Sequence, residues 1–311
     1  MPTTTVSQLA SLLAQQKPVL SAARMAVKSR AMVACIVRAA PRSPGTAEML
    51  LIRRAVREGD PWSGQTAFPG GRCEPKDYGS DLATAIREAN EEIGVDLSDE
   101  RHFKFLGRIN DIELYRSGRV HMVVGCMVFH QLAPQPIRVD PLEVAACGWV
   151  PLSVVGQATS GDLRIAYWSV PKNWGLPSYL HNYLSLIGLN EVALATLPID
   201  LQDAVKANPD VKVDDLDLWG LTLQFAMLIT RDPGDPLVVY RNLPVCGLRV
   251  PHKYRWPVHD LGLALYHTIW DKARLRHGSA VHVSYFCFFH CLLAAVLTAV
   301  GVATARLRSR L

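Results

Sequence analysis

The stretch Phe68-Pro69-Gly70-Gly71-Arg72-Cys73-Glu74-Pro75-Lys76-Asp77, continued by Arg87-Glu88-Ala89-Asn90-Glu91-Glu92-Ile93-Gly94-Val95, decides the fold of this 311-residue chain. It reads as a glycine turn leading into a carboxylate-rich helix. Leu82, Ile86, Ala89 and Ile93 recur at intervals of four, three and four, which predicts a helix over 81–93 with one face turned to a core. Glu88, Glu91 and Glu92 then share the opposite side, and three carboxylates are expected to converge on one spot. Like charges at this spacing weaken an isolated helix by roughly a few tenths of a kcal/mol per pair, so a purely structural helix gains nothing from them. A bound divalent cation reverses that sign. Mg2+ or Mn2+ prefers oxygen ligands and commonly combines a few carboxylates with substrate phosphate oxygens. Arg87 is placed to pair bidentately with one glutamate and hold it in register. Gly94 suits a helix end that needs the left-handed conformation. The competing reading is a solvated acidic face with no ligand.

Outward from this segment, Ala31 to Val37 and Met49 to Ile52 are apolar runs separated by a loop with Pro41, Pro44 and Gly45, the pattern of a strand hairpin. Gly64 to Gly71 reads as loop. Phe103 to Ile109, Val120 to Phe129 and Ala146 to Val150 read as further strands. Strands before and after one clear helix predict an α+β sandwich rather than a doubly wound parallel sheet. Leu180 to Val211 reads as a weakly helical insertion broken by Pro198 and Pro209, and Leu216 to Ile229 as a helix.

The formal charge of +5 is small and its basic residues are mostly dispersed, so no nucleic-acid polymer is expected as a partner. The seven cysteines (Cys35, Cys73, Cys126, Cys147, Cys246, Cys287, Cys291) are odd in number, spread out and without a CxxC pair, which argues against a disulfide framework or zinc knuckle. No acidic residue precedes Glu48. That basic opening has two readings: a transit peptide, or an amphipathic helix with Leu9, Leu12, Leu13 and Leu20 packed on the domain.

The complete string from Phe68 to Gly94 resembles the Nudix signature, and the chain is identified on it with the Nudix hydrolases. The resemblance spans about residues 30 to 230 and implies an α/β/α sandwich with a mixed sheet. It implies that Glu88 and Glu92, assisted by Glu91, are metal ligands, that Arg87 orients them, and that Gly70 and Gly71 form the substrate loop. Glu91 and Glu143 are alternative candidates for the catalytic base. In one departure, Asp77 stands six residues after Gly71 but ten before Arg87, so the loop is two residues longer than the family pattern. Leu50, Leu51, Gly64 and Phe68 to Gly71 resemble the motif that precedes the box in coenzyme A diphosphatases, although Ile52 and Gly59 depart from it. A small-molecule nucleoside diphosphate derivative, coenzyme A or its thioesters, is the substrate so implied. A dinucleotide or nucleotide sugar is the alternative, and a non-catalytic membrane adaptor on the same fold is another.

Val281 to Ala305 contains no charged residue apart from His282 and His290. As a helix rising about 1.5 Å per residue it would cross a hydrocarbon layer of about 30 Å. The expected organisation is therefore a basic segment over 1–29, a Nudix domain over 30–235, a juxtamembrane extension over 236–279, a transmembrane helix over 280–305 and a basic tail over 306–311. The catalytic domain would then face the cytosol. The terminal Ser309-Arg310-Leu311 also resembles a peroxisomal address, and the two readings compete. Dimerisation is left open.

Overall fold

The computed structural model describes residues 5–169, apart from 16, 28, 44, 59, 61, 117, 118, 160 and 161, then residues 191–230 and 247–248. The segments expected at 236–246 and 249–279, the apolar segment 280–305 and the tail 306–311 lie outside the described residues. Among the described residues no helix is long and apolar enough to cross a membrane.

Strand β1 (Ser29–Ala39) is central in a mixed sheet with β2 (Ala47–Arg54), β3 (Thr66–Ala67), β4 (Gly70–Arg72), β5 (Phe103–Arg116), β6 (Arg119–Gln131), β7 (Val144–Pro151) and β10 (Gln202–Lys206). The main order is β10-β7-β2-β1-β6-β5, with β3 paired to β2 and β4 to β1. The β1–β2 hairpin is antiparallel with Val37 opposite Met49, whereas β1 and β6 run parallel with Met32 opposite Gly125. The predicted mixed sheet and hairpin are present. The loop expected at 64–71 instead contributes two short strands, because Gly70 and Gly71 pair with Val33 and Met32.

Both faces of this sheet are covered. Along β1, Met32, Ala34 and Ile36 pack in one cluster with Ala85, Ala89 and Ile93 of helix α2 (Asp81–Ile93), together with Phe103 and Phe129. Cys35 and Val37, on the other side of the same strand, pack with Leu9 and Leu13 of α1 (Val6–Gln15) and with helices α3 (Leu152–Gly156) and α4 (Gly220–Thr230). Period-two alternation thus places one strand between two helical layers. The amphipathic-helix reading of the opening segment holds for Leu9 and Leu13, while Leu12 stays exposed and Leu20, also exposed, lies beyond the end of the helix.

Two expectations are corrected. Glu191–Ile199 and Gln202–Lys206 are strands, not a weakly helical insertion, and the expected helix from Leu216 begins at Gly220. Leu216–Leu218 pairs antiparallel with Leu197–Ile199, with Pro198 opposite Asp217. Gly220, at φ +59°, provides the left-handed turn between that strand and the helix.

Candidate metal and substrate site

Helix α2 is fixed at both ends. Ser80 Oγ accepts from the Ala83 N–H, and Gly94 closes the helix at φ +69° with its N–H on the Asn90 carbonyl, as the sequence predicts. Asp81, in the first turn, is gripped by Arg24, Arg30 and Arg108. Beyond the C-terminus, Arg138 and Asp140 donate backbone N–H groups to the Ile93 and Glu92 carbonyls, taking up acceptors that a helix end otherwise leaves bare.

Glu88 and Glu92 sit where α2 crosses the Gly70–Gly71 turn. Glu92 is buried and accepts the Gly70 N–H at 2.8 Å. Gly70 needs to be glycine, since its φ is +156° and a Cβ there would lie 2.4 Å from the Met32 carbonyl oxygen. A Cβ on Gly71 would lie 2.5 Å from Glu88 Oε2, so the two glycines leave room for the two carboxylates. Burial pushes the Glu92 carboxyl up to about 8, with the charges of Glu88 and Glu143 adding to the rise and Arg54 opposing it from 3.8 Å. Glu88 is likewise raised, first by burial and then by Glu91 and Glu143, against the pull of Arg87.

Arg87 organises the surrounding charges. Its Nε and Nη2 donate to the two oxygens of Asp77 at 2.7 and 3.0 Å, and its Nη1 reaches Glu88 and Glu91 at 2.8 Å each. Asp77 is buried and also accepts from Thr84 and from the Glu74 N–H, and Arg87 holds its carboxyl far below the ordinary range. Asp77 thus meets Arg87 despite the longer loop. This clamp is not visible in the sequence, where the displaced spacing is the only signal.

Of the three carboxylates expected to converge, Glu88 and Glu91 meet at one nitrogen of Arg87, 2.8 Å from each, while Glu92 lies buried against the Gly70 N–H. Glu91 faces solvent, held by Lys76 at 2.9 Å and by Arg87, and these two cations keep its carboxyl low although burial opposes them. Among the described residues no three His, Cys, Asp or Glu side chains stand together as a metal-holding group. Glu143 is half-exposed on the loop before β7, 3.6 Å from Arg57, yet its charge acts on both Glu88 and Glu92. A hard divalent cation suits this donor set in kind: Glu88 and Glu92 are carboxylates one turn apart, both raised chiefly by burial, and a nearby positive charge would relieve both. Glu88 and Glu92 are the residues that would hold it.

A sandwich with a paired-glutamate helix over a glycine turn defines a class, and residues 28–169 match the NUDIX domain family. The chain carries a NUDIX domain over that span. An uncharacterised protein of Schizosaccharomyces pombe is 36% identical over 107 residues, 34% of this chain and 32% of that protein. The mitochondrial coenzyme A diphosphatase NUDT8 of Mus musculus is 31% identical over 106 residues, 34% of this chain and 47% of the mouse protein. NUDT8 of Homo sapiens, which bears the same description, is 28% identical over 148 residues, 48% of this chain and 60% of the human protein. The chain thus spans between 32% and 60% of the length of these relatives.

Proposed function

We propose that this protein hydrolyses the diphosphate linkage of a nucleoside diphosphate derivative, with coenzyme A or its thioesters as the substrate and Mg2+ or Mn2+ as the cofactor. The observation that carries the reading is the buried pair Glu88 and Glu92, pressed onto the Gly70–Gly71 turn and unneutralised apart from Arg87, Arg54 and one N–H. The coenzyme A assignment is supported by the relatives whose names state that activity.

A divalent cation held by Glu88 and Glu92 would supply charge neutralisation on the diphosphate and a lowered pKa for bound water. The chain's own residues do the rest. Asp77 fixes Arg87, Arg87 fixes Glu88, and the Gly70 N–H fixes Glu92, so the carboxylates need little rearrangement before reaction. Of the two base candidates, Glu143 is the better placed. Glu91 is occupied by two cations, whereas Glu143 has a single, longer contact with Arg57. Segment 280–305 is proposed as a membrane anchor on the strength of its composition.

The test is to incubate the full-length chain with magnesium and a panel of coenzyme A species, dinucleotides and nucleotide sugars, and to identify products by mass spectrometry. The expected products of coenzyme A are a phosphopantetheine and adenosine 3′,5′-bisphosphate. Cleavage of a dinucleotide or nucleotide sugar alone would overturn the coenzyme A assignment, and no cleavage of any member would favour the adaptor.

A further inference from the structure

A hollow of about 480 Å3 opens between Ala55–Arg57, where β2 ends, and Asp140–Glu143, which precede β7. That size falls in the range of about 300–1,000 Å3 common to small-molecule pockets. It is tied to the carboxylate site by backbone. The Asp140 N–H donates to the Glu92 carbonyl at 3.0 Å and the Ala55 N–H to the Glu143 carbonyl at 2.9 Å. Arg54, adjacent to Ala55, reaches Glu92 itself.

The lining selects a ligand chemistry. Val56 and Leu142 are 78% and 74% exposed, so apolar side chains line the opening without a cover from the described residues. The charged groups are Arg57 against Asp140 and Glu143, one positive and two negative. Arg57 is further engaged, donating from Nε to the Leu142 carbonyl and lying 3.6 Å from Glu143. Asp140 already accepts the Leu142 N–H. The negative end of helix α2 adjoins the hollow through Glu92. A phosphate would meet net repulsion there. An uncharged chain would lay its carbons on Val56 and Leu142, and its amide N–H groups would find an acceptor in the Asp140 carboxylate, which lines the hollow and has lone pairs beyond the one that takes the Leu142 N–H.

We propose that this hollow receives the uncharged, amide-bearing arm of the substrate, the pantetheine half of coenzyme A or a thioester, while the diphosphate lies over Glu88 and Glu92. The inference rests on the coenzyme A reading above and adds the orientation of the substrate and two specificity residues, Val56 and Leu142.

Equilibrium binding to the full-length chain is measured by calorimetry with coenzyme A and with ADP-ribose, which has an adenylate diphosphate but no amide arm. Leu142→Asp and Val56→Ser are compared with wild type; both side chains are exposed, and unchanged thermal unfolding verifies the fold. Each variant is expected to weaken coenzyme A binding about tenfold, equivalent to about 1.4 kcal/mol, while ADP-ribose binding stays within about twofold. Equal loss for both ligands, no loss for either, or a wild type that binds ADP-ribose and not coenzyme A overturns the assignment. A wild type that binds coenzyme A with the expected variant pattern yet cleaves no diphosphate overturns the hydrolase reading and upholds the hollow.

Discussion

Glu92 concentrates the chemistry of the site in one residue. Buried beside Glu88 and answered by the Gly70 N–H and, at 3.8 Å, by Arg54, its carboxyl moves from an ordinary 4.5 to about 8. A carboxyl raised on folding gives stability that is complete below its unfolded pKa and is lost as pH climbs through the folded value. Without metal, unfolding temperature should therefore fall between about pH 4.5 and pH 8, and saturating magnesium should flatten the decline. Glu92→Gln should remove that component of the profile. Thermal unfolding across this pH range checks it, and an identical decline in Glu92→Gln would sink the assignment. The glutamates were legible in the sequence as a cluster, but their division into two buried carboxylates and one solvent-facing residue was not. Residue spacing gives the face of a helix, whereas the partners of Glu91 come from Lys76, fifteen residues earlier in sequence.

At the level of elements, helix α2 was readable from its apolar repeat, its Gly94 end and its length, because each is a local property. The strands at 191–199 and 202–206 were not, since short apolar runs carry no clear period and their partners are distant: Gln202 pairs with Trp149 and Leu197 with Leu218. The loop between Gly71 and α2, two residues longer than the family pattern, still brings Asp77 under Arg87. Asp77→Asn removes charge from a buried pair but leaves Arg87 with Glu88 and Glu91. A hydrogen bond to a charged partner contributes roughly 1.5–3 kcal/mol, so a stability loss of about 2 kcal/mol is expected. Turnover should fall further than stability alone explains, because Glu88 loses its fixed neighbour. Denaturant unfolding paired with saturating-substrate kinetics separates the two, and full turnover in a destabilised variant would contradict the clamp.

For the whole molecule, two levels of organisation meet. The sandwich buries its β1 strand between α2 on one face and α1, α3 and α4 on the other, which gives the carboxylates a rigid base. The apolar stretch over 280–305 is a proposal of a different kind, drawn from composition. Expressed in full, the chain should pellet with membranes, resist extraction by high salt or carbonate, and be released by detergent; removal by salt alone would rule out the anchor. The central claim is the hydrolase site, and its most direct measurement is magnesium-dependent release of phosphopantetheine from coenzyme A by wild type and by Glu88→Gln of equal thermal stability. The expected result is turnover in the wild type that chelation abolishes and a loss of at least a hundredfold in the variant, about 2.7 kcal/mol of transition-state stabilisation. Wild-type rates in Glu88→Gln, or turnover indifferent to chelation, would contradict the account.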